Sequence, residues 1–422
     1  MSAGRRDLDP AHAYPHPHAE RDVRILFLTR FARLYGYGAV AVMLVLYLAR
    51  LGFSGSEIGL LLSLTMFGDV GVSLWLTTHA DRFGRRRTLI LGSFLMAGSG
   101  LVFAASTLFP VLLVAATLGV ISPSGGEVGP FLAVEQASLT QSVASARRTS
   151  IFGWYNVVGS VATALGALVT GIAISTMIGT GMDALDAYRV MLLSYGGVGL
   201  LLAAMFWTVS AGVEAPEPVD GTIAGRLGLH KSRGVIFRLS ALFVVDSFAG
   251  GLAMQSLLAY WFHVTYGVSE AALGGIFFGA NLLSAASALA AARIAKRIGL
   301  INTMVFTHLP SNVLLILVPL MPNLELAILV LLLRFSISQM DVPTRQSYTM
   351  AVVDPDERSA AAGVTAIART GGAALGPNIA APLIGVASTA MIPFFLAGAL
   401  KIAYDIALWK LFRSRPAPEE VK

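Results

Sequence analysis

Apolar residues run through this chain in long stretches instead of the one-face stripes of a soluble helix. Twelve such stretches fall near residues 24–49, 57–79, 88–109, 111–139, 149–178, 188–211, 235–264, 271–292, 300–320, 324–350, 359–387 and 389–410. A helix needs about 20 apolar residues to cross the hydrocarbon core of a bilayer, so each stretch predicts one crossing. Short polar breaks separate them. The sharpest is ADRFGRRR, Ala80–Arg87, between the second and third stretches. An acid and four arginines cannot lie in hydrocarbon, and Gly84 permits a tight turn, so a hairpin outside the bilayer is predicted there. SPSGGEVGP, residues 122–130, sets two prolines and three glycines around Glu127 inside the fourth stretch. It predicts a broken or kinked helix whose freed backbone groups face a cavity.

Composition agrees with a polytopic membrane protein. The chain is 55% hydrophobic and 13% charged, where a soluble domain carries about 25% charge. There is no cysteine, which excludes disulfides and thiolate chemistry. Residues 1–23 are polar, with Pro10, Pro15, Pro17, His12, His16 and His18. A disordered, solvated tail is expected there in preference to a nickel or zinc site. No cleavable signal peptide is visible, because the first apolar run is long and holds Arg30 and Arg33.

Twelve crossings put both termini on one side, and the basic residues indicate which side. With the N-terminus inside, 22 of the 30 Lys and Arg fall in inner segments, against Arg50 and Arg189 in the outer loops. Both termini are therefore expected in the cytoplasm, with the chain in the cytoplasmic (inner) membrane. The basic balance needs no nucleic-acid partner. The five tryptophans, Trp75, Trp154, Trp207, Trp261 and Trp409, are expected in interfacial belts at span ends.

The chain also repeats itself. A shift of 215 residues brings Gly36 onto Gly251, Gly59 onto Gly274 and Gly84 onto Gly299. Further on, a shift of 210 brings Gln136 onto Gln346, Arg148 onto Arg358 and Gly166 onto Gly376. Parallel duplication predicts two six-helix bundles, 24–211 and 235–412, with a site between them near the midplane. The polar stretch 212–234 would be a cytoplasmic linker, and 413–422 a cytoplasmic tail.

Twelve spans, a duplicated half, a mid-chain linker and the Asp-Arg-X-Gly-Arg-Arg loop together resemble the major facilitator superfamily, in its twelve-span drug:proton antiporter-like branch. The resemblance implies an all-α membrane fold and alternating access. It implies a gate at Asp81, Arg82, Gly84, Arg85 and Arg86. Asp81 would face the N-terminus of the eleventh span, and Arg85 would pair with Glu135 at the cytoplasmic end of the fourth. The front of the family motif departs at Thr77 and His79. In the second half Lys296 stands for Asp81 and Arg345 for Glu135, so an asymmetric lock is expected.

An ionisable residue inside a span is costly and is a functional candidate by default. The substrate or proton candidates are Arg30, Arg33, Asp69, Glu127, Asp246 and Arg334. Asp246 aligns with Phe31, between Arg30 and Arg33, and is expected near those arginines at mid-membrane. Arg334 aligns with Ser124, so Glu127 and Arg334 form the preferred site pair. Asp341 and Arg369 are less distinct. Lys401 and Asp405, four apart, are expected to pair with each other. GAALGPNIAAP, residues 372–382, resembles the Gly-Pro run of drug:proton antiporters, displaced from the fifth span to the eleventh.

No phosphate-binding Gly-X-X-X-X-Gly-Lys-Ser/Thr loop is present, and no Ser/His/Asp or metal-ligand set suggests an enzyme. An ion gradient is expected to supply energy, with the proton as coupling ion and no cofactor. The expected function is proton-coupled efflux of a small organic solute. Uptake or exchange of an anionic metabolite is the alternative, because guanidinium groups suit carboxylate and phosphate. The expected partners are a small-molecule substrate and the lipid bilayer, with the chain as a monomer.

Overall fold

The computed structural model describes residues 17–144, 147–214, 232–354 and 357–414, without the side chains of Asp81, Arg82, Thr149 and Ser359. It contains fifteen α-helices and, among the described residues, no strand. In the first half these are α1 (Ala19–Arg50), α2 (Gly55–Phe83), α3 (Arg85–Ala105), α4 (Phe109–Leu118), α5 (Phe131–Ser142), α6 (Arg148–Gly179) and α7 (Ala184–Trp207). In the second half come α8 (Arg233–Leu252), α9 (Gln255–Tyr266), α10 (Glu270–Ile298), α11 (Leu300–Leu317), α12 (Leu324–Ser338), α13 (Asp341–Ala351), α14 (Arg358–Ile384) and α15 (Ile392–Phe412). Ten segments are long and apolar enough to span a bilayer, with α8–α9 and α12–α13 each counting as one. The α4–α5 pair and α14 complete twelve crossings.

Three crossings are broken: the fourth (α4–α5), the seventh (α8–α9) and the tenth (α12–α13). The fourth was foreseen from its sequence. Gly125 and Gly129 take φ of 72° and 78°, which a residue with a Cβ adopts only under strain. The breaks at Ala253–Met254 and Gln339–Met340 carry weaker signals. In the tenth crossing Pro343 has no N–H to donate to the carbonyl of Gln339, so the ladder stops there.

Helix starts are secured differently at the two ends of the molecule. At the end away from the arginine loop, Ser54, Asp183, Ser269 and Asn323 cap the helices that they precede. These caps satisfy backbone N–H groups that a helix cannot satisfy itself. At the basic end the acids come from far along the chain. Glu214 accepts from the backbone N of Arg85 (2.6 Å) and Arg86 (3.2 Å) at the start of α3, and Glu357 accepts from the backbone N of Ser232 (2.9 Å) at the start of α8.

Helices α1–α7 pack mainly as α1 on α6 and α3 on α7, and α8–α15 mainly as α8 on α14 and α11 on α15. The two groups meet along α2 with α14, α6 with α10, and α1 with α9. These contacts are tight in the half away from the basic end. A Cβ built on Gly171 would sit 2.2 Å from the carbonyl oxygen of Glu270. Ser175 Oγ accepts from the backbone N of Ala271 at 2.9 Å, and Tyr188 donates to Glu270 at 2.7 Å. In the basic half, Gly71 on α2 and Gly153 on α6 meet no such neighbour within 4 Å. The tight contacts between the bundles named here therefore lie away from the basic end.

One interfacial expectation needs correction. Trp75, Trp154 and Trp207 are exposed, but Trp261 is fully buried. Its ring lies 4.7 Å from that of Phe394 and 5.6 Å from that of Tyr266, so it fills core near a span end. His12, His16 and most of 212–234 lie outside the described residues. Among the described residues no cluster of His, Cys, Asp and Glu suits a metal ion.

Candidate functional site

A cavity of about 740 Å³ lies between the bundles. The backbone of the fourth-crossing break lines it with Arg30, Asp69, Asp246, His308, Arg334, Asp341, Arg345, Arg369 and Lys401. The broken helices bring polar backbone to the midplane, where an unbroken span would present only side chains.

On the N-terminal side the charges answer one another. Arg33, wholly buried, reaches Glu135 through two hydrogen bonds of 2.6 and 2.8 Å. Glu135 also accepts from Thr29 (3.0 Å) and from the Tyr155 hydroxyl. Arg30 pairs with Glu127, donates to the Tyr155 carbonyl at 2.7 Å and lies 4.1 Å above the Tyr155 ring. Arg33 Nε stands 3.4 Å from the other Glu127 oxygen. Asp69 accepts from the backbone N of Gly129 (2.5 Å) and from Ser73 (3.0 Å). It thereby pins the break in the fourth crossing to α2.

On the C-terminal side Asp246 is the hub. Its Oδ1 accepts from Lys401 at 2.6 Å and its Oδ2 from Arg345 at 3.1 Å. Arg345 also donates to Asp341 at 2.8 Å. His308 Nδ1 lies 2.8 Å from Asp405, which also accepts from Asn312 at 2.9 Å. Arg334 and Arg369 form no ion pair among the described residues, and each has a buried Nε without a hydrogen-bond partner. The guanidinium of Arg334 stacks 4.9 Å from the Phe335 ring.

Several expected pairings are replaced. Arg85 does not meet Glu135: the Arg85 side chain donates to the Val213 carbonyl at 3.2 Å, while Glu135 faces inward on α5 and is taken by Arg33. Arg86 reaches the Val209 carbonyl at 3.4 Å. Gly84 makes the turn with φ 101°. The side chains of Asp81 and Arg82 lie outside the described residues. Glu127 and Arg334 share the cavity, but the ion partners of Glu127 are Arg30 and Arg33. Asp246 pairs within its own bundle instead of with those two arginines, because Lys401 and Arg345 are nearer. Lys401 therefore turns away from Asp405. His308, Asn312 and Lys401 were not among the sequence candidates. A usable signal existed for the first two, since polar side chains four apart in a span share one face.

The comparisons with known proteins agree with this architecture. Residues 26–377 match the family model described as Major Facilitator Superfamily. The chain is 31% identical over 424 residues to the uncharacterized membrane protein YJR124C of Saccharomyces cerevisiae, covering 93% of this chain and 94% of that one. It is 25% identical over 270 residues to the quinolone resistance protein NorA of Staphylococcus aureus (strain MRSA252), covering 62% of this chain and 64% of that one. Among solved structures, a bacterial homolog to the human lysosomal transporter Spinster, inward-facing and unoccupied, superposes with TM-score 0.72 at 14% identity, covering 95% of this chain and 98% of that one. The nucleoside transporter NupG superposes with TM-score 0.71 at 14% identity, covering 93% and 99%. These two likenesses are of fold. With twelve crossings, a central cavity and a family match over most of its length, this chain belongs to the major facilitator superfamily and is a membrane transporter, not an enzyme.

Proposed function

We propose that this protein is a proton-coupled secondary transporter that moves a small organic solute with an anionic group across the cytoplasmic membrane by alternating access. The observation that carries the reading is the pair Arg334 and Arg369. Both line the cavity, and neither has an ion-pair partner among the described residues. A cavity cation without an ion pair is costly, and a carboxylate or phosphate on the solute would offset that cost through bidentate hydrogen bonds. With the basic end taken as cytoplasmic, the tight contacts between the bundles lie on the outer side, as an inward-open state requires. The chain acts as a monomer in this reading.

Efflux by antiport of uncharged or cationic solutes is the second reading. The similarity to NorA and the acids Asp69 and Glu127 on the cavity wall favour it. Proteoliposomes with an entrapped pH dye separate the two. Proton movement driven by organic anions and lost in Arg334→Gln supports the anionic solute. Movement driven only by lipophilic cations replaces it with the second reading.

A further inference from the structure

We infer that His308, not one of the cavity carboxylates, takes up and releases the coupling proton, with Nε2 as the accepting atom. This rests on the proton-coupled reading above and assigns it to a group. His308 lies eight residues into α11, about 12 Å along the axis at 1.5 Å per residue. It is 4% exposed and lines the cavity.

Nδ1 lies 2.8 Å from Asp405 Oδ1 and 3.2 Å from Asn312 Nδ2. The nearer partner is a carboxylate, which accepts when ionised, so the proposal places a proton on Nδ1. Nε2 then carries the lone pair, 3.9 Å from Asp246 Oδ1. Three carboxylates stand around His308: Asp246 on α8, Asp341 on α13 and Asp405 on α15. Arg345 on α13 and Lys401 on α15 pair with Asp246 and Asp341. Asp405 has no ion pair with Lys or Arg among the described residues, and His308 is the basic group against it. Tyr404 on α15 stands edge-on to the imidazole at 6.1 Å. Asn312 on its own helix is neutral, as is Asn281, which α10 contributes to the cavity. Arg334 on α12 and Arg369 on α14 line the same cavity and act on Asp246 and Asp341.

The position also links the proton to the solute site. Protonated Nε2 faces the same Asp246 oxygen that Lys401 holds at 2.6 Å. Two cations then compete for it, and Lys401 is released toward the cavity that it lines. Imidazole suits this duty because its unperturbed titration falls between about pH 5 and 8.

The test needs no known solute. Proteoliposomes on a solid-supported membrane are given a pH jump, and the charge displaced as protons enter the protein is recorded. The wild type is expected to give a transient that grows from pH 8 to pH 5. His308→Gln should reduce it at least tenfold, and Asp405→Asn should move its midpoint by about one pH unit. A transient of wild-type size in His308→Gln overturns the assignment while leaving proton coupling intact. Loss in Asp69→Asn with His308→Gln unaffected would overturn it in favour of Asp69. If His308→Gln does not fold, an unmoved midpoint in Asp405→Asn overturns the assignment instead. A silent wild type removes proton coupling itself.

Discussion

In the N-terminal bundle the first crossing supplies the arginines and the fourth supplies the acids. In the C-terminal bundle the seventh crossing supplies the acid and the tenth supplies the arginine. Glu135 and Arg345 are equivalent under the internal repeat, and Asp246 aligns between Arg30 and Arg33. The duplication has kept the place of the ion pair and inverted its polarity. The two clusters differ in completeness. Arg30, Arg33, Glu127 and Glu135 answer one another, and Tyr155 and Thr29 close the set. Around Asp246 the account stays open, with His308 between two carboxylates and two further arginines unpaired. The first arrangement fastens a broken helix. In the proposed reading the second responds to a proton and a solute.

That contrast can be broken experimentally. The largest effect is expected from Glu135→Ala, which leaves Arg33 buried and unpaired. A loss of about 3–5 kcal/mol is expected, visible as a lower thermal midpoint in detergent. An unchanged midpoint would dissolve the structural role of the N-terminal cluster. Next, Arg334→Gln and Arg369→Gln should each weaken binding of a responsive organic anion about tenfold to a hundredfold, from a lost charged hydrogen bond of about 1.5–3 kcal/mol, with the thermal midpoint held. Destabilisation without a binding defect would make these arginines structural too. The smallest effect is expected from Glu214→Ala, which removes the acid from the start of α3. A cap of this kind is worth about 1 kcal/mol. The expected result is a small drop in thermal stability with anion binding unchanged.

The twelve crossings were legible because hydrocarbon tolerates little except apolar runs, and a turn such as Gly84 with its arginines has nowhere else to go. The break around Glu127 was legible for the same reason, since two prolines and three glycines are hard to keep in a regular helix. The breaks in the seventh and tenth crossings were not, because a single Pro343 or an ordinary Ala253–Met254 step also occurs in continuous helices. Partner choice was least legible. Counting along the chain put Glu135 near the basic end, but helical phase turned it toward Arg33. Lys401 and Asp405 had the spacing of a pair, yet Asp246 on a neighbouring helix offered Lys401 a shorter reach. Such choices are made across helices, and a one-dimensional pattern carries little of that geometry.

The break in the fourth crossing has an evolutionary consequence. At Gly125 and Gly126 the cavity wall is peptide backbone, and no substitution can remove a peptide group. A lineage can exchange Arg334, Gln255 or Ser160 for other side chains and still keep a polar lining through Gly125 and Gly126. Cargo can therefore drift while the polar lining persists, which lets descendants of one ancestral chain carry chemically unrelated solutes on the same scaffold.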